Sequence, residues 1–180
     1  MNPFPDNGTS RLIIRIMEQC DAEEARLLHN EDSTLMRLSD VAHVSEESQL
    51  AWFRSVSQSC SSKRYVARTR AANDFVGVFR LDRIDHWNRS AFVGADVAPA
   101  ARGQGYASEM YGYFFEYLFN QCGLNRLALV TLESNEPALR LYEKLGFVEE
   151  GREREAIFRD GRFQDLVSMG LLASEWRQKA

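Results

Sequence analysis

The stretch VAPAARGQGYASEMYGYFFEYLF, Val97 to Phe119, joins a strand-like run to an amphipathic helix through Arg102, Gly103, Gln104 and Gly105. Downstream, Ala107, Met110, Tyr111, Phe114, Leu118 and Cys122 recur at three- or four-residue steps, the spacing of one buried helical face. A junction of this kind can be an ordinary turn. It can also be a phosphate cradle, because the first N–H groups of a helix have no intrahelical partner and sit at the positive end of its dipole.

The flanking segments define the fold. RLIIRIM (11–17) reads as a strand, and Asp21 is the expected N-cap of a short helix over AEEARLLHN. Ser45, with Ser48 three positions on, opens a second helix whose apolar face carries Leu50, Phe53 and Val56 with Trp52. KRYVART and DFVGVFRLDRI, separated by RAAND, predict a hairpin, and RSAFVGADVAP a further strand. Gly123 stops the central helix, and RLALVTL follows as a strand. NEPALRLYEKLGF is a helix with Pro137 in its first turn and Gly146 past its end. Asp160-Gly161 splits the last stretch into a hairpin. Strands and helices alternate in the middle with antiparallel hairpins around them. This predicts a single α/β (α+β) domain over 10–176 on a mixed sheet, after a flexible tail at 1–9.

Composition removes several function classes. A formal net charge of −4 gives no electrostatic basis for nucleic-acid binding. No apolar run approaches the roughly 20 residues of a membrane span, and the first ten residues do not read as a signal peptide. Cys20, Cys60 and Cys122 form neither a zinc-ligand spacing nor an even disulfide set, so no metal and a reducing, cytoplasmic setting are expected. His29, His43 and His86 are scattered and read as surface or core-edge residues. Trp52 and Trp176 are expected to pack. Trp87 can pack or line an acceptor pocket.

Three phosphate-binding patterns compete for ARGQGYAS. A P-loop needs Gly-Lys-Ser/Thr, but Tyr106 follows Gly105. A dinucleotide fingerprint needs a third Gly or Ala where Ser108 stands, and belongs near the start of its domain. The third pattern, Arg102-x-x-Gly105-x-Ala107, resembles the acetyl-CoA signature of the GNAT superfamily of N-acetyltransferases. TLESNEPALRLYEKLGF (131–147) is similar to that family's second signature, and the resemblance extends over residues 90 to 172. The ending EEGREREAIFRDGRFQDLVSMGLL looks like the branch that holds ribosomal-protein, spermidine and amino-sugar-nucleotide acetyltransferases.

The resemblance implies a GNAT-like, mostly antiparallel central sheet flanked by helices, and direct transfer of an acetyl group from acetyl-CoA to a primary amine. It places the N–H groups of Arg102, Gly103, Gln104, Gly105, Tyr106 and Ala107 around the diphosphate. It puts the Asn135 side chain on the pantetheine arm, and the Val97 N–H on the thioester carbonyl or the next amide. Tyr142 becomes the proton donor to the leaving thiolate. Read without the family, Asn135 is an N-cap and Tyr142 a core aromatic. Lys144 or Arg140 could touch a CoA phosphate or simply face solvent. For the base, Asp96 leads, with Glu133, Glu31 and Asp32 behind it. The acceptor is a small-molecule or peptide amine, a homodimer is compatible with the family, and the rival reading is a non-catalytic acyl-CoA-binding module.

Overall fold

The computed structural model describes residues 8–38 and 42–179. Seven strands form one sheet: β1 (Leu12–Ile16), β2 (Lys63–Thr69), β3 (Phe75–Asp85), β4 (Ser90–Val97), β5 (Arg126–Leu132), β6 (Val148–Arg159) and β7 (Arg162–Leu172). Their spatial order is β1-β2-β3-β4-β5-β7-β6, antiparallel throughout except for the parallel β4–β5 pair. Six α-helices are distributed among them in the described residues: α1 (Ala22–Asn30), α2 (Asp32–Leu35), α3 (Glu46–Gln58), α4 (Tyr106–Phe115), α5 (Glu136–Leu145) and α6 (Ala173–Lys179). The mixed sheet flanked by helices matches the expected fold class.

Alternation along the strands sends side chains to two cores. Tyr65, Ala67, Phe79 and Leu81 join the larger cluster with Met110, Tyr111, Phe114 and Phe115 of α4 and Tyr142 of α5. Phe79 stacks on Phe114 at 3.8 Å, and Tyr65 meets the same ring edge-on at 4.8 Å. Val66 and Val78 face the other way, against Ala22 and Ala25 on the α1 side and Leu50, Trp52 and Phe53 of α3. Trp176 packs on Phe119 at 5.4 Å, as expected for a packing residue.

Several local expectations are met. The Ser45 hydroxyl caps α3 by accepting from the Ser48 N–H at 3.2 Å. Asp160 and Gly161, at φ 49° and 75°, make the β6–β7 turn. Three expectations need correction. Asp21 does not cap α1. Its buried carboxylate accepts from Nη1 and Nη2 of Arg15, each at 2.6 Å, from Arg68 at 3.3 Å and from the Glu18 N–H at 2.9 Å. Cys122 leaves the buried face of the central helix because Glu116–Gln121 widens into a π-helical turn. The Cys122 N–H reaches back five residues to the Tyr117 carbonyl at 2.9 Å, which turns the end of the helix away from its earlier face. Of the expected tail, residues 1–7 lie outside the described residues. Gly8 pairs with Ile13, and the Thr9 hydroxyl donates to Glu109 of α4.

Candidate active site

β4 and β5 pair at only three positions, Ser90–Arg126, Ala91–Leu127 and Phe92–Ala128. Beyond these, β4 stays with β3 as far as Gly77–Val97, and β5 stays with β7 as far as Leu132–Leu166. Each strand keeps its outer partner while the two separate, and a wedge opens between their C-terminal halves. Backbone direction follows from the ladder. The Ala98 N–H donates to the Val76 carbonyl at 2.9 Å, so the peptide groups of Val97 point to the opposite edge, into the wedge. A cleft of about 390 Å³ lies there, lined by Ala95 to Val97, the 101–108 loop, Val130, Thr131 and the first two turns of α5.

The loop before α4 closes one end of this cleft. Gly103 and Gly105 have φ 74° and 81°, left-handed values that glycine adopts without strain, and the space beside Gly103 is open. Tyr106, Ala107 and Ser108 line the cleft as the first turn of α4, where N–H groups have no acceptor in the helix. The first i→i−4 bond runs from the Glu109 N–H to the Gly105 carbonyl at 3.1 Å. Gln104 is turned back, its amide donating to the Ala100 carbonyl at 2.8 Å.

Arg102 differs from its expected role. Its N–H closes on the Pro99 carbonyl at 3.3 Å, so the free N–H groups begin at Gly103. Its side chain turns away from the cradle and braces the N-terminal helices. Nε donates to the Val97 carbonyl at 2.9 Å, Nη2 to the Thr34 hydroxyl at 2.6 Å and to Glu31 at 3.3 Å, and Nη1 to the Ser33 hydroxyl. A residue that sequence reading missed braces the other side. Arg11 donates to the Gln104 carbonyl at 3.0 Å, pairs with Glu109 at 2.5 Å and lies over the Tyr106 ring at 4.6 Å. Nothing local marks it, because its partners lie more than 90 residues away.

Asn135 occupies the N-cap position of α5, yet its side chain accepts from no helix N–H and lines the cleft instead. Tyr142 is buried in the cleft wall, its ring 5.9 Å from that of Tyr111. Burial pushes the Tyr142 phenol up from its ordinary value, and the Tyr111 hydroxyl and the Arg80 charge act against that rise. The Tyr111 hydroxyl is itself buried, on the Tyr142 side of the core. Lys144 sits in the last turn of α5, exposed and outside the cleft lining, and Arg140 is exposed and paired with Glu136 at 2.9 Å. Both face solvent, while the first two turns of α5 line the wedge.

The carboxylates separate into different roles. Asp96 lines the cleft and faces Arg80, with Nη1 and Oδ2 3.5 Å apart. Glu133 bonds the Asp165 N–H at 3.1 Å. Glu31 caps α2. Burial would raise its pKa, but bonds from Ser33 and Thr34 and the charge of Arg102 prevail, holding the carboxyl at about 2. A carboxylate that binds protons so weakly is a poor base at neutral pH. The lowered value implies linkage of one sign. Stability from Glu31 is complete above its unfolded value of 4.5 and is lost as pH falls towards 2. The melting-temperature difference between wild type and Glu31→Gln is therefore expected to be constant above pH 4.5 and to shrink below it. A difference that grows with acid would contradict this assignment.

Trp87 stands 96% exposed at the β3–β4 turn, outside the two cavities that flank the wedge, and His29 bonds the Ala42 carbonyl at 3.1 Å. Among the described residues no cluster of three or more His, Cys, Asp or Glu side chains could hold a metal ion. No helix among them is long and apolar enough to cross a membrane.

The sheet is thus parted between its two parallel strands, with a glycine-bordered helix start at the opening. Residues 11–148 match the model of the acetyltransferase (GNAT) domain, and the chain belongs to that family. It is 27% identical to spermidine N(1)-acetyltransferase of Vibrio cholerae serotype O1 over 95% of this chain and 98% of that protein. The L-amino acid N-acetyltransferase AaaT of Escherichia coli K12 is also 27% identical, over 89% and 97%. A crystal structure of the Vibrio cholerae spermidine N-acetyltransferase with CoA and spermine superposes with TM-score 0.88, at 27% identity over 94% of this chain and 99% of that one. The chain is an N-acetyltransferase, with acetyl-CoA as donor and an amine as acceptor.

Proposed function

We propose that the wedge between β4 and β5 is where donor and acceptor meet, with residues 10–176 working as one unit. The observation that carries this reading is the convergence of unpaired N–H groups at Gly103–Ala107, the inward Val97 peptide and the buried Tyr142 on one cleft. Acetyl-CoA supplies an electrophilic thioester at the end of a chain of amides behind an anionic diphosphate. The N–H groups at the start of α4 hold the anion, and the open space beside Gly103 lets the backbone come close. A strand-wide gap suits an amide-bearing chain, because it offers unpaired backbone groups along both walls. Val97 donates its N–H to a carbonyl in the wedge, and the uncapped Asn135 side chain bonds an amide there.

Tyr142 donates a proton to the departing sulfur. A phenol near 10 is a weaker acid than a thiol near 8.5, so the step relies on placement. Asp96 is the carboxylate best placed to take the amine proton, directly or through water. The acceptor is a small-molecule or peptide amine, and spermidine and L-amino acids, the compounds named for the relatives, both carry primary amines. Three cysteines left free agree with a cytoplasmic setting.

Thiol release from acetyl-CoA, measured against polyamines, amino acids, N-terminal Ser or Ala peptides and amino-sugar nucleotides, tests the reading. Amine-dependent release with acetylated product is the expected result. Tight CoA binding without transfer to any amine would favour the rival, a non-catalytic acyl-CoA-binding module.

A further inference from the structure

A second cavity, of about 790 Å³, opens beside the first and shares Arg37, Leu38, Arg80, Val130 and Thr131 with it. The strand parity of β3 and β4 puts Arg80 and Asp96 on the sheet face covered by α1 and α3, opposite Tyr142. An acceptor in this cavity therefore reaches the wedge from the side away from the proton donor.

Cationic groups are in excess in the cavity. Arg37, Arg80 and Arg83 line it, against two carboxylates, Asp82 and Glu153. Asp82 is already matched by Arg64 at 2.9 Å. Arg80 has a built seat. It stands opposite Gly94 across the β3–β4 ladder, where a Cβ would lie 2.6 Å from Nη2. Asp96 approaches only one edge of its guanidinium, at a long 3.5 Å, and most of its five donors stay available. Arg83 lies over the Phe92 ring at 4.6 Å, which leaves its edge free to bond.

On the reading that this chain is an N-acetyltransferase, we infer that its acceptor is an amine carrying an anionic group, a carboxylate or phosphate, bound by Arg80 with Arg37 and Arg83. A polycation would bring its unreacted ammonium groups against three guanidinium groups. An anion-bearing amine matches them, and planar guanidinium donors suit both oxyanions.

The test titrates the CoA-saturated protein with matched pairs by calorimetry: phenylalanine against phenylalaninamide, and glucosamine 6-phosphate against glucosamine. Spermidine is included, and thiol release is followed in parallel with acetyl-CoA. The anionic member of at least one pair should bind about tenfold more tightly than its partner, the scale of one charge-assisted bond. Arg80→Gln should remove that preference, and the pair that responds distinguishes carboxylate from phosphate. Equal affinity within both pairs, stronger binding of spermidine, or no binding of any probe overturns the inference, whether or not Arg80→Gln folds. An anion preference without thiol release from any amine leaves the cavity assignment intact and defeats the transferase reading.

Discussion

Gly105→Asp is expected to reduce CoA affinity by on the order of 100-fold while the protein remains folded. Two effects act together. The residue holds φ 81°, where a side chain costs about 1 to 2 kcal/mol. A carboxylate there also places negative charge at the helix start that must receive an anion, reversing an interaction of up to about 2 kcal/mol. Gly105→Ala separates them, since it keeps the strain and lacks the charge. Titration calorimetry with CoA, with far-ultraviolet dichroism as a check on folding, reads both variants. Full affinity in folded Gly105→Asp would mean that the diphosphate binds elsewhere.

Tyr142→Phe has the second large effect, confined to chemistry. Loss of a general acid commonly lowers turnover by about 10² to 10⁴-fold, and the buried ring keeps its packing when only the hydroxyl is removed. CoA affinity should stay close to wild type. Burial raises the phenol, so the group stays protonated through neutral pH and is ready to donate. Wild-type kcat in the variant, with an amine that the enzyme truly acetylates, would remove Tyr142 from the mechanism. Weakened CoA binding with unchanged kcat would make it a wall of the cleft.

Much of the fold and the site was legible in the residues because the signals are local. Gly105, Gly123, Gly146 and Asp160-Gly161 mark turns through backbone preference, and each occupies a left-handed conformation. Arg126–Leu132 and Glu136–Leu145 follow the apolar pattern of RLALVTL and EPALRLYEKL. Sequence reading failed where partners are distant. Arg102 looked like part of an anion loop, but Ser33, Thr34 and Glu31 on a short helix about 70 residues earlier take its side chain. Asp21 looked like a cap and proved to be a buried anchor for Arg15 and Arg68. Cys122 fitted a 3.6-residue period until the π-helical turn broke it. Arg80 carries no motif and gains meaning only from Gly94 and Asp96 across the ladder.

The parting of β4 from β5 has a dynamic consequence. Only three residue pairs join the two halves of the sheet directly, so that boundary is its mechanically weakest line. A donor molecule lying along the gap would bridge both halves like an inserted strand. Saturation with CoA should then slow deuterium uptake at Val97 and at Val130 on the opposite wall, and should tighten the two halves into one cooperative unit.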